Sequence, residues 1–466
     1  GGVICLTMFK GGFLRRRSVP GQVYSGSASL RRWRKFLWLI IVLFLGSLVW
    51  VGGSGYLAIN QITAKNVGEG VTGSQLDGTL KVDDLRREGD GRVNILVLGI
   101  GGANHKGGLL ADTIQILSLD PVNKRLALVS IPRDLYVEIP SNGQSKINAV
   151  YAYGTENCRP YNSCSAGSDS GGEAVKRTVE KTFDLPIHNF IRLDFVGFEK
   201  IIDALGGVKV YLEKPLYDPH YPDSRLEGFE PLYIPSGLQP LNGQLALKYV
   251  RSRQSTSDFD RSRRQQQVIA AVKEKAGLTV LANPKQLSNL LNILGKHLRT
   301  DLTAGEITKL ITLIRGVKPT DLTSTVLDTG PDSPLMAKSN STAGYIIIPR
   351  SGLFNFLEVR DYLDGALVEP YLIKENARVL VRYPPAKQKE AQLLAKKLGL
   401  VGYNVVGLES VSTKVVKATV EGGENFPYTR ALLKKRLLAS LTARLPDNLN
   451  PAADLVLTLP TNFVIK

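Results

Sequence analysis

Between Phe36 and Ala64 the chain carries no charged residue, and Phe36 to Val51 is almost wholly apolar. Continued to Ile59, the run reaches roughly the twenty residues that a membrane span needs. Trp33, Trp38, Trp50 and Tyr56 suit anchoring at the two interfaces. Lys10, Arg15, Arg16, Arg17, Arg31, Arg32, Arg34 and Lys35 precede the run, with no acid among residues 1–35. Eight of the net seventeen positive charges therefore lie there, and nine in the remainder. Basic residues beside a span stay on its cytoplasmic side. A cleaved signal peptide is the competing reading, but the run is long and no small-x-small cleavage site follows it. Residues 36–59 thus read as an uncleaved transmembrane signal anchor in the plasma membrane, with residues 1–35 as a basic cytoplasmic terminus. Everything after about residue 60 is then expected outside the cytoplasm. An excess of positive charge favours anionic partners, yet this topology places the arginine cluster at 251–264 across the membrane from DNA. No helix-turn-helix pattern is present either, so no nucleic-acid partner is expected.

The cysteines agree with an oxidising compartment. Cys158 and Cys164 lie together in a polar, turn-like segment that could close a small disulfide loop. Such a loop contributes about 2 kcal/mol in the chain-entropy model. Free thiols are the alternative, and zinc is disfavoured because no histidine lies nearby.

Residues 60–91 are rich in Gly, Thr, Asp and Glu without sustained periodicity, and read as a stalk or linker. Short apolar runs at 93–99, 112–119 and 125–131 predict strands. Helical patterns are expected at 172–183 and 198–205, strands at 208–212 and 246–250, and helices from Asp258 towards Lys275, at 284–298 and at 304–315. Alternation of this kind over residues 92–364 predicts a three-layer α/β/α domain with a mixed central sheet. After Gly365 the pattern restarts. Residues 374–466 read as a small C-terminal α/β module of order βαββαβ, with strands at 378–383, 403–406, 414–420 and 454–459 and helices at 387–398 and 429–444. That order fits a split βαβ unit, and no nucleophile or metal cluster is evident in it.

The chemistry concentrates in Tyr249-Val-Arg-Ser-Arg253 and Asp258-Phe-Asp-Arg261-Ser-Arg-Arg264-Gln265-Gln266. If the first run is a strand, Arg251 and Arg253 share a face. If a helix starts at Asp258, then Arg261, Arg264, Gln265 and Val268 share one face. Guanidinium groups gathered into one volume repel unless an anion occupies it, and their planar forks suit phosphate oxygens. A solvated charged surface is the bland reading. Ser130-Ile-Pro-Arg133-Asp134 and Lys146 bring basic groups from two further elements, which favours a built site. Gly99-Ile-Gly-Gly-Ala-Asn-His105-Lys-Gly-Gly108 follows a strand end, where ligands of open α/β sheets bind. Its spacing matches neither a Walker A loop nor a dinucleotide fingerprint. Asp112 lies near the same sheet end and could hold a divalent cation through oxygen, with substrate phosphates and water completing the shell.

At these residues the chain strongly resembles the LytR-CpsA-Psr family of wall glycopolymer ligases. The matching pieces are Asn94 to Gly99, Asp112-Thr113, Ser130 to Asp134, Lys146 to Asn148, Phe195 to Phe198, Ala204 to Val208, Leu241 to Gly243, Ala246-Leu with Tyr249 to Arg253, and Asp258 to Arg261 with Arg264 to Gln266. The final ninety residues are similar, more weakly, to the C-terminal module that often follows this domain. The resemblance implies a membrane-anchored extracytoplasmic phosphotransferase. Such an enzyme moves a glycopolymer from a polyprenyl-pyrophosphate carrier to a cell-wall (peptidoglycan) acceptor. By the match, Arg133, Lys146, Arg251, Arg253, Arg261 and Gln265, with Arg264 beside them, would grip the pyrophosphate. Asp112 would hold Mg²⁺ (or Mn²⁺), and Asp258 would orient arginines or assist deprotonation of the acceptor hydroxyl. Asp258, Arg133 and Arg261 are thus the catalytic candidates. The lipid would need an apolar channel between the sheet and its helices.

Two positions depart from the family pattern. A second metal-binding aspartate is usual where this chain has Gly101, and an arginine where it has Leu110. Asn104 or His105 could supply the missing donor, being close in the same loop. A hydrolase releasing the carrier's pyrophosphate and a non-catalytic binder of polyprenyl-phosphate lipids are the competing functions, the latter made more credible by Gly101 and Leu110.

Overall fold

The computed structural model describes residues 73–84, 91–102, 105, 107–140, 143–161, 168–222, 228–252, 258–279, 295, 297–341, 343–412, 415–443 and 453–465. The expected anchor at 36–59 lies outside these residues, as do Asn104, Cys164 and Arg253. Among the described residues no helix is long and apolar enough to cross a membrane.

The main sheet has six strands: β1 (Val93–Ile100), β2 (Ala111–Asp120), β3 (Arg125–Ser130), β4 (Asn189–Asp194), β5 (Leu298–Thr300) and β6 (Leu322–Val326), in the order β5-β4-β1-β2-β3-β6. It is mixed. β1 runs antiparallel to β2 and parallel to β4, β3 is antiparallel to β2, β5 is antiparallel to β4, and β6 is parallel to β3. Side chains alternate across a strand, and both faces are apolar. Leu96, Leu98 and Ile100 of β1 join Ile114 and Ile116 of β2 in one core. That core is covered by α1 (Val150–Glu156), by α2 (Ser170–Phe183) and by a helix at Leu357–Ala366. Val93 and Ile95 face the other way, against Leu310 of a helix at Ala304–Gly316. Helices therefore cover both faces, which makes the three layers.

A third cluster gathers beyond the C-terminal ends of β1 and β4. It contains α3 (Phe195–Ala204), α4 (Gly243–Arg251) and α5 (Asp258–Thr279) with the strand pair Val208–Leu212 and Gly237–Leu241. The helix starts are fixed by side-chain caps: Asp194 accepts from the Gly197 amide and Asn242 from the Leu245 amide, both at 2.8 Å.

Several expectations are corrected. Residues 246–250 are helical, not a strand. Asn242 caps the helix, and Ala246, Leu247, Tyr249 and Val250 are spaced to bury one helical face. Of the expected helix 284–298, the described residues Gly295 and His297 are helical, and Leu298 already opens strand β5, which pairs with β4. Within 60–91, residues 73–84 are not a free stalk. Leu76 enters the sheet core and Leu80 the C-terminal core.

In the C-terminal module, Arg378–Tyr383, Asn404–Ser410, Thr419–Gly422, Ser440–Thr442 and Leu455–Thr458 form one five-stranded sheet. The helices Gln388–Leu400 and Pro427–Leu437 pack on it. The second helix stops earlier than expected, at a left-handed Leu438 with φ 50°, and Ser440–Thr442 adds an edge strand. Arg378–Tyr383 and Asn404–Ser410 are parallel neighbours with nothing between them, so the unit is not a split βαβ. The two cores divide between Leu367, which belongs to the first, and Tyr371, which belongs to the second.

Candidate functional site: a cationic wall at the end of an apolar cavity

A cavity of about 530 Å³ lies between the β1–β4 end of the sheet and helices α3, α4 and α5. Val97 and Gly99 of β1 form part of its floor, and Phe195 and Phe198 of α3 and Leu247 and Val250 of α4 form its apolar sides. From α5 come Arg261, Gln265 and Ile269, spaced i, i+4 and i+8 and hence on one stripe. Arg133, Asp112 and Arg251 also line the cavity. Gly99 is required where it stands, because a Cβ there would meet the Thr113 side chain at 2.9 Å.

Arg133 Nη1 donates to Asp112 Oδ1 at 2.7 Å, and its Nε lies 3.4 Å from Asp134. Lys146 Nζ is 3.1 Å from the other Asp134 oxygen. Lys146 therefore stands behind Arg133 and does not line the cavity. Arg261 Nη2 donates to the Asp112 carbonyl at 3.2 Å. Arg251 Nη2 meets His105 Nε2 at 2.9 Å, and its guanidinium lies 4.4 Å from the Phe195 ring centroid. Burial pushes the Tyr221 hydroxyl and the Glu199 carboxyl up from their usual ranges, and Arg251 opposes both shifts.

Arg264 differs from its neighbours. It is buried, with Nε donating to the Tyr249 carbonyl at 3.0 Å and Nη2 to the Ser252 carbonyl at 2.5 Å. Burial also lowers its pKa. Ser252 Oγ in turn donates to Asp218 at 2.6 Å. Arg264 thus latches the end of α4 instead of facing the cavity. Gln266 is likewise structural, donating to Ser130 Oγ at 2.9 Å and to the Thr325 carbonyl at 3.0 Å.

Of the sequence candidates, Arg133, Arg251, Arg261, Gln265 and Asp112 converge on one cavity. Arg264 and Lys146 hold its walls from outside. Asp258 opens α5, and only its backbone is described. Cys158 is disulfide-bonded. Sequence reasoning missed Ile269 and Tyr221 as lining residues; the i+8 spacing from Arg261 could have found the first.

Among the described residues no three His, Cys, Asp or Glu side chains converge on one point. Arg133 engages one oxygen of Asp112. In this arrangement His105 turns its Nε2 towards Arg251.

The chain is 34% identical over 248 residues to the polyisoprenyl-teichoic acid–peptidoglycan teichoic acid transferase TagU of Oceanobacillus iheyensis, covering 53% of this chain and 69% of the relative. It is 25% identical over 296 residues to the corresponding transferase TagT of Bacillus subtilis, covering 62% and 84%. A solved structure, TagT bound to LIIa-WTA, aligns with 66% of this chain and 99% of its own, at 23% identity and a TM-score of 0.47. The family model LytR_cpsA_psr matches residues 58–346, the span that builds the sheet, the cavity and its cationic wall, and the chain belongs to that family.

Proposed function

We propose that this chain is a membrane-tethered, extracytoplasmic phosphotransferase. It would take a glycopolymer from a polyprenyl-pyrophosphate carrier and join it to a hydroxyl of a cell-wall acceptor. The observation that carries this reading is the placement of Arg133, Arg251 and Arg261 on the lining of one cavity that is otherwise largely apolar. That arrangement suits a ligand with a pyrophosphate head and a hydrocarbon tail. The transferase activity of TagU and TagT supports the same assignment.

In the proposed reaction the acceptor oxygen attacks the phosphorus that bears the glycan. The bond from that phosphorus to the bridging oxygen breaks, and polyprenyl phosphate leaves. The hydroxyl proton passes to a base, for which Asp258 is the candidate. Phosphoryl transfer depends mainly on positioning and on neutralising charge. Three guanidinium groups with the Gln265 amide would supply both. Arg253, which follows Arg251 closely in the chain, is a fourth candidate. Asp112 would keep Arg133 in place until the substrate arrives. Arg133 Nη1 engages one oxygen of Asp112, and a carboxylate offers further acceptor sites, so Asp112 would also be the residue to hold a divalent cation, whose charge would add to that of the arginines.

Arg251→Ala and Arg261→Ala should each weaken binding of geranylgeranyl pyrophosphate by roughly 10- to 100-fold, the effect of losing one charged hydrogen bond. Both should abolish transfer of carrier-linked glycan to peptidoglycan. Titration calorimetry and a transfer assay with labelled carrier test this; wild-type affinity and turnover in both variants would refute the site. Release of free glycopolymer phosphate without acceptor would identify a hydrolase instead.

A further inference from the structure

We propose that His105 is the positioning residue for Arg251 and so sets the affinity of the cavity for a pyrophosphate head; the inference rests on the pyrophosphate reading above. Arginine can only donate hydrogen bonds. In the 2.9 Å contact between Arg251 Nη2 and His105 Nε2 the imidazole nitrogen is therefore the acceptor. The imidazole stands edge-on to Phe195, with ring centroids 5.2 Å apart and planes at 87°. The Arg251 guanidinium lies over the same phenyl ring at 4.4 Å. One aromatic ring thus supports both members of the pair, and the pair lines the cavity. A long, rotamer-rich side chain is held to one orientation at its tip before any ligand arrives, which lowers the ordering cost of binding.

The place of the imidazole depends on the residue at 101. A Cβ there would meet His105 Cβ, Cγ and Nδ1, each at 3.0 Å. Glycine at 101 and histidine at 105 therefore form one packing unit. The loop uses the space beside Gly101 for a ring that orients a cation.

The test is calorimetric titration with geranylgeranyl pyrophosphate, and with geranylgeraniol as the head-free control. His105→Leu should weaken the pyrophosphate ligand roughly tenfold, the lower range for a charged hydrogen bond, and leave the alcohol unchanged. His105→Gln, whose amide oxygen can accept from Arg251, should retain most of the affinity. Gly101→Ala, which pushes the ring away, should fall between wild type and His105→Leu. In an Arg251→Ala background, His105→Leu should add nothing, since its effect passes through Arg251. Wild-type affinity in His105→Leu beside a loss in Arg251→Ala would overturn this inference alone, as would additive losses in the double variant. A wild-type protein that binds the alcohol as tightly as the pyrophosphate would overturn both this inference and the reading of the cavity.

Discussion

Arg251, Arg261 and Arg264 look equivalent as residues of one basic run, yet burial and partners give them different work. Arg261 and Arg251 face the cavity, whereas Arg264 donates to the carbonyls of Tyr249 and Ser252 on either side of Arg251. Removing Arg264 leaves two buried acceptors short of a charged donor. Arg264→Ala should therefore lower the unfolding free energy by about 3 kcal/mol, read from urea denaturation, and should also weaken pyrophosphate binding because the end of α4 loosens. Unchanged stability would mean that the latch is dispensable. The sequence marked the run as a candidate site but could not sort its members. Helical phase alone placed Arg261, Arg264, Gln265 and Val268 on one broad face. Only the crossing of α4 over α5 decides that Arg261, Gln265 and Ile269 form the cavity stripe, while Val268 turns into the core.

At the scale of elements, β1, β2 and β3 were legible because each is a short apolar run, whereas β4, β5 and β6, with Arg, Thr or Ser among few apolar residues, were not read as strands. One misread element was α4. Its nine residues from Gly243 to Arg251 contain five apolar side chains, too short a window for a period of 3.6 to stand out against a strand pattern. The cap at Asn242 was the stronger signal. Asn242→Ala should cost about 1 kcal/mol of stability by thermal or urea denaturation. Affinity for geranylgeranyl pyrophosphate should stay at the wild-type level, because Arg264 fixes the other end of the helix. A parallel loss of affinity would show that the cap, and not the latch, places Arg251. The short segment 73–84 was misread for a different reason. Its composition is that of a linker, and only Leu76 and Leu80 enter cores, at a spacing that produces no sustained pattern.

For the whole molecule, that segment is the seam between two cores. Leu80 donates its amide to Tyr371 Oη at 2.9 Å, and its carbonyl accepts from Tyr428 Oη. The two phenol rings stack at 4.0 Å with planes 5° apart, and burial pushes the Tyr371 hydroxyl up to about 12. Across the same seam, Arg92 donates to the Val368 carbonyl at 3.2 Å and Asn123 to the Pro370 carbonyl at 2.9 Å. Tyr428→Phe should remove about 1 kcal/mol and speed hydrogen exchange at the Leu80 amide while leaving the core strands protected. Exchange at the wild-type rate would show that Tyr371 alone suffices. The order of these contacts along the chain has a mechanical meaning. Tension applied from the side of residue 72 reaches the apolar plug at Leu76 first and the paired phenols at Leu80 second. The segment would therefore yield in two stages, peeling from the sheet core before the tyrosine clamp feels the load.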